Sequence, residues 1–118
     1  MKLLVTGGLG FIGSNFIQNT LKNYPDFTIT NIDAELYGSN QKNLDNINNS
    51  KNYKFVKGNI TDNNLIEKLV DDSDIIVNFA AESHVDRSIS NAKPFIDSNI
   101  FGTFTILEAL KNKNKRFL

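Results

Sequence analysis

A short apolar run, Leu3-Leu4-Val5, passes through Thr6 into glycines spaced Gly7-x-x-Gly10-x-x-Gly13, and a helical apolar pattern starts near Phe11. The order strand, tight glycine turn, helix constrains this chain more than any other feature. Gly7 permits a bend that a β-carbon would obstruct. Gly10 keeps side-chain bulk away from whatever approaches the turn, and Gly13 allows the helix to pack closely on the strand. The first turn of the helix then presents N–H groups without intrahelical partners and the positive end of its dipole. Such a device suits a pyrophosphate.

An acid follows at the expected distance. Asp33 ends the second apolar run, Phe27-Thr28-Ile29-Thr30-Asn31-Ile32, about 20 residues past the last glycine. A carboxylate there can accept hydrogen bonds from both hydroxyls of an adenosine ribose and would repel a 2′-phosphate. No Arg or Lys lies between Asp33 and Gln41 to neutralise one, so the pattern favours NAD over NADP. The alternative is a glycine turn with a capping acid and no ligand.

Length and composition narrow the rest. The 118 residues suffice for one domain. Thirteen basic and thirteen acidic residues cancel, and no basic stripe or polybasic patch points to nucleic acid or a membrane surface. There is no cysteine and only one histidine, so neither a disulfide nor a zinc–thiolate site is expected, and no metal site is assigned. The first strand begins at the amino terminus without a charged leader and apolar segment, and no apolar stretch approaches the roughly 20 residues of a membrane span. The expectation is a cytoplasmic protein.

Apolar runs alternate with helical patterns along the whole chain. Strands are expected at 2–6, 28–32, 53–56 and 74–79, and helices at 11–23, 62–70 and 94–111, with a short helical turn near 41–47. Thr61 or Asp62 can cap the helix at 62–70, and Pro94 suits a first turn. Alternation with short connections predicts an α/β fold, a parallel sheet covered on both faces. The last residues, Lys115-Arg116-Phe117-Leu118, read as the opening of a fifth strand. With only four strands, 74–79 would lie at an open apolar edge, so the chain is expected to be the front portion of a larger protein.

A second motif narrows the function. Asn78-Phe79-Ala80-Ala81-Glu82-Ser83-His84-Val85-Asp86-Arg87-Ser88 follows the fourth strand. Together with Thr6 to Asn15 and Pro94-Phe95-Ile96-Asp97-Ser98-Asn99-Ile100-Phe101-Gly102-Thr103, it resembles the extended short-chain dehydrogenase/reductase family, and within it the nucleoside-diphosphate-sugar 4,6-dehydratases. The resemblance covers essentially all of the chain but about the first third of such an enzyme. It implies residues 1–118 of a Rossmann-type doubly wound sheet, incomplete at about four strands plus the start of a fifth, without the substrate domain.

The resemblance also implies roles. Gly7, Gly10, Phe11, Ile12 and Gly13 match the pyrophosphate turn. Asp33 matches the ribose acid, and Ala34, Glu35 and Leu36 continue that contact. Asn59-Ile60 stands where the family usually has Asp-Ile beside the adenine; the amide can still accept from the adenine amine, without the charge. Phe79, Ala80 and Ala81 match backbone at the nicotinamide half, and Ser98 a cofactor-contacting hydroxyl. Ser83, with Glu82 and His84 beside it, matches the substrate side. The implied cofactor is NAD, the implied substrate a nucleotide sugar with dTDP-glucose the first candidate, and the implied assembly of the parent a homodimer. The family's Thr-Asp-Glu segment and Tyr-x-x-x-Lys pair, which handle water elimination and hydride transfer at the sugar, have no counterpart here, so no catalytic residue is assigned. A related epimerase or decarboxylase, or a non-catalytic dinucleotide-binding module, are the competing readings.

Three further features have simpler explanations. Tyr53-Lys54-Phe55-Val56-Lys57 spells Tyr-x-x-x-Lys, but on a strand four residues span roughly 13 Å, too far for the ammonium to act on the phenol. His84 is expected as a hydrogen-bonded loop residue at the substrate mouth, and Asp86 with Arg87 as charges in a short loop that could pin it as an ion pair. Gly102 is expected to serve close packing of its helix rather than a ligand.

Overall fold

The computed structural model describes residues 1–118. Five parallel strands form one sheet in the order β3-β2-β1-β4-β5: β1 is Lys2–Thr6, β2 Thr28–Asp33, β3 Tyr53–Lys57, β4 Ile75–Asn78 and β5 Arg116–Phe117. β1 sits at the centre, pairing with β2 from Lys2↔Thr28 to Thr6↔Ile32 and with β4 from Leu3↔Ile75 to Thr6↔Asn78. The order reverses between β1 and β2 on one side and β4 on the other. A crevice therefore opens beyond their carboxyl ends, the usual ligand position in such sheets.

Alternating side chains of the same strands feed two cores. Leu3, Val5 and Ile29 point to one face and pack with Ile17 of α1 (Phe11–Asn23) and Leu44 of a 3₁₀ turn, Gln41–Leu44. Leu4, Ile32 and Ile76 point to the other and pack with Ile66 and Val70 of α2 (Asn63–Asp71) and with Ile106. Helices thus cover both faces, as parallel strands buried on two sides require. No helix is long and apolar enough to cross a membrane.

Two elements differ from the sequence expectation. The segment expected as a helix at 94–111 is a rod in three parts: α4 (Lys93–Phe95), a π-helical stretch Ile96–Gly102, and α5 (Thr103–Leu110). Gly102 faces Ile60, whose side chain occupies the space of the missing β-carbon, so the rod closes on the loop after β3. Residues 85–90, expected as a loop, form a helix, α3 (Val85–Ser90). Its two apolar residues, Val85 and Ile89, both face solvent, so it lacks the buried stripe by which helices are recognised. At the other edge β5 pairs Arg116 with Ile75 and Phe117 with Ile76, so β4 is an inner strand along that length.

Candidate functional site

The glycine turn is held from below by two buried polar residues of β2. Asn31, fully buried, accepts a hydrogen bond from the Gly8 N–H at 3.0 Å and donates to the Tyr53 hydroxyl at 2.9 Å. Asp33 accepts from the Leu9 N–H at 3.0 Å through Oδ2. The Gly10 N–H is used inside the turn, on the Gly7 carbonyl. The amides of residues 8, 9 and 10 are therefore committed to the protein. Those of Phe11, Ile12 and Gly13, the first turn of α1, precede the first intrahelical bond, which Ser14 donates to Gly10. No side chain caps that end. Free donors and a helix dipole at one place suit an anion.

Steric demands match. Gly7 has φ +67°, and a β-carbon there would lie 2.6 Å from the Ala80 nitrogen. A β-carbon on Gly13 would lie 2.5 Å from the Gly7 carbonyl oxygen, so the close approach is of helix to turn rather than helix to strand. At Gly10 the nearest atom would be 3.4 Å away, and the space in front of it is open cavity.

Thr6 ties the turn to the segment after β4. Its hydroxyl donates to Asn78 Oδ1 at 2.5 Å and accepts from the Ala80 N–H at 3.2 Å, while its carbonyl accepts from the Phe79 N–H. Further on, Asn99 in the π-helical stretch clasps the Glu82 backbone, accepting from its N–H at 2.8 Å and donating to its carbonyl at 2.9 Å. The run from Phe79 to Glu82 is so fixed at both ends.

Between these parts lies a cavity of about 380 Å³. Gly7, Gly10, Phe11, Ile12 and Gly13 form one wall. Asp33, Ala34 and Leu36 follow from β2, and Asn59 and Ile60 from the loop after β3. Phe79, Ala80, Ala81, Glu82, Ser83 and His84 line it from the segment after β4, and Ser98 from the rod. Of the residues expected at a ligand site, Glu35 alone does not line the cavity. It adopts φ +56° and turns its carboxylate to Lys57, at 2.5 Å, with a further hydrogen bond from Gln41. The Lys57 bond, then the Gln41 bond, holds its carboxyl below the usual range.

Asp33 is nearly buried, and its Oδ1 accepts from the Glu35 N–H at 2.8 Å and the Ser39 hydroxyl at 2.7 Å. A carboxylate offers about four acceptor positions. Three are filled, one of them by a rotatable hydroxyl, so a ligand diol can be met by the remaining position and by displacement of Ser39. Asn59 spends its Oδ1 on the Thr61 N–H and hydroxyl, at 3.0 and 2.9 Å, leaving its amide nitrogen as the group with no intramolecular use.

At the mouth, His84 makes no hydrogen bond through its ring; it packs edge-on against Tyr37 at 4.9 Å. Arg87 does not pair with Asp86. Its guanidinium lies 4.0 Å above the Tyr37 ring, joining α3 to the loop after β2. Tyr53 and Lys57 lie at opposite ends of β3, the phenol on Asn31 and the ammonium on Glu35. Asn31, Ser39, Tyr37 and Asn99 escaped the sequence reading; only the Asp33-to-Ser39 spacing, typical of a turn closing on an acid, offered a signal.

The glycine turn, the β2 acid and the segment after β4 lead to the same relatives. A family model described as GDP-mannose 4,6 dehydratase matches residues 4–118. The chain is 45% identical over 116 residues to a dTDP-glucose 4,6-dehydratase of Mycobacterium tuberculosis, covering 98% of this chain and 34% of that protein. Among solved structures it is similar to the dTDP-glucose 4,6-dehydratase of Bacillus anthracis in complex with NAD (TM-score 0.86, 42% identity, 98% of this chain and 35% of that one). It is likewise similar to DesIV, a dTDP-glucose 4,6-dehydratase of Streptomyces venezuelae solved with NAD bound (TM-score 0.87, 43% identity, 93% and 35%). The chain thus spans about a third of the length of these relatives. With the match running from β1 to the last residue, this chain belongs to the GDP-mannose 4,6 dehydratase family.

Proposed function

We propose that this chain is the NAD-binding front part of a nucleotide-sugar 4,6-dehydratase, one that converts dTDP-glucose to its 4-keto-6-deoxy product. The observation that carries the reading is the set of uncapped amides of Phe11, Ile12 and Gly13 opening on the same cavity as the buried carboxylate of Asp33. The relatives' names and their NAD complexes support the choice of dinucleotide and of sugar nucleotide.

Each residue then has a task. The first turn of α1 holds the pyrophosphate through its N–H groups, with Gly10 leaving room for it. Asp33 accepts from the adenosine ribose, with the Ser39 hydroxyl giving way. Ile60 and the Asn59 amide border the adenine, and Phe79, Ala80 and Ala81 lie along the nicotinamide half, where Ser98 adds a hydroxyl. Glu82, Ser83 and His84 face the sugar nucleotide. Bound NAD supplies the hydride acceptor and donor. No residue of this chain is assigned the acid–base steps at the sugar.

Calorimetric titration with NAD tests the reading. One saturable site is expected, and Gly10→Val, which fills the space before α1, should abolish it while leaving the fold's circular dichroism intact. Absence of NAD binding by the unaltered chain overturns the proposal. Incubation of the chain with dTDP-glucose and NAD should give no 4-keto product; turnover would overturn the absence of acid–base residues.

A further inference from the structure

The sequence shows no cation between Asp33 and Gln41, but the fold brings one in. Lys57 ends β3 as the direct strand partner of Asp33. Its ammonium does not reach toward the Asp33 carboxylate; it is drawn to Glu35 at 2.5 Å. Glu35 can take it because the left-handed turn at that residue, φ +56°, turns the side chain out of the cavity. The Glu35 N–H stays on Asp33 Oδ1, so the pair sits directly beside the ribose acid. Gln41 adds a third group that holds the Glu35 carboxylate in place.

We propose that Glu35 is a specificity-determining residue for the dinucleotide: by binding Lys57 it withholds a cation, on the strand partner of Asp33, that could accept a 2′-phosphate. The inference rests on the reading of the cavity as a dinucleotide site. Its charge arithmetic is direct. With Glu35 in place, Lys57 is neutralised and a 2′-phosphate meets the uncompensated charge of Asp33. With Glu35 made neutral, Lys57 is a free ammonium on the strand next to Asp33, able to pair with the phosphate. With both made neutral, Asp33 again stands alone.

The test is the ratio of NADP to NAD affinity, measured by calorimetry at low salt on the 118-residue chain and three variants. Glu35→Gln should raise that ratio about tenfold, the size of one charge-assisted hydrogen bond to phosphate. Glu35→Gln combined with Lys57→Met should return it to the original value, and Lys57→Met alone should leave it no higher than the original. The gain should shrink as salt is raised toward about 0.2 M, because the Lys57 ammonium is exposed. A role confined to shaping the loop would weaken both dinucleotides and leave the ratio unmoved. If the unaltered chain binds NAD but the ratio stays flat in Glu35→Gln, or stays high in the double variant, the proposal is overturned. If the unaltered chain binds neither dinucleotide, the reading of the cavity itself fails, a separate result.

Discussion

At the scale of single residues, the site depends on buried polar groups that touch no solvent. Asn31 is the clearest: its amide satisfies the Gly8 N–H on one side and the Tyr53 hydroxyl on the other. Asn31→Ala leaves both without partners and opens a cavity under the turn. The expected cost is about 2–4 kcal/mol, read as a shift of the urea midpoint at unchanged slope. A loss below about 0.5 kcal/mol would mean that the turn holds itself. Tyr53 gives a pH signature. Burial, only partly offset by the Asn31 bond, pushes its phenol above the ordinary value of about 10. The folded state then keeps the proton more tightly than the unfolded state. Stability from this group is whole below pH 10 and is lost as pH rises through the raised folded value. Chemical unfolding between pH 8 and 11 should show the decline, and Tyr53→Phe should flatten it. Gly7, Gly13 and Asp33 were legible because backbone conformation, close packing and charge at fixed spacing leave a mark in sequence. Asn31 was not, since an amide inside an apolar strand carries no sign of what it will meet across the sheet.

At the scale of elements, the strands and the longer helices followed from periodicity and their ends from local chemistry, whereas α3, without a buried stripe, did not. α1 begins at Phe11 and ends at Asn23 as its pattern implied, and Asp62 caps α2 by accepting from the Leu65 N–H. The π-helical stretch was illegible, because an extra residue in one turn changes no apolar spacing enough to show. It nonetheless carries Ser98 on the cavity and Asn99 on the Glu82 backbone, in keeping with the tendency of such turns to lie at functional sites. The carboxyl end of α2 is held from a distance. Lys115, just before β5, donates to the carbonyls of Val70, Asp71 and Ser73 at 2.6–2.7 Å. Val70 and Asp71 belong to the last turn of α2, where intrahelical donors run out, and the ammonium also opposes the negative end of the dipole. Lys115→Met should therefore cost about 1–2 kcal/mol in thermal unfolding. Hydrogen exchange should quicken first at residues 71–76 and in β5, and uniform quickening across the sheet would contradict a local cap.

At the scale of the whole molecule, the two sides of the last helical rod are unlike in position but alike in character. Gly102, Thr105 and Ile106 are buried toward the sheet. Ile96, Ile100, Phe104 and Leu107, spaced four, four and three apart, form a stripe on the outside, with Phe101 beside it. Phe101 and Phe104 are 55% and 57% exposed, and Val85 and Ile89 of α3 are more exposed still. A rod with apolar residues on more than one face has more than one surface to cover. The fold reveals that only half of it is covered by this chain, and the relatives are about three times as long. Apolar stripes of this extent are rare on isolated monomers and promote association in water. The purified chain is accordingly expected to self-associate at micromolar concentration, with a scattering mass above 13.2 kDa that rises with concentration. Phe101→Glu with Phe104→Glu places two like charges on the stripe and touches none of the residues that line the cavity. The pair should bring the mass down toward the single-chain value without lowering the melting temperature. A chain that already scatters as a single copy across that range would show that this stripe is too weakly apolar to drive association.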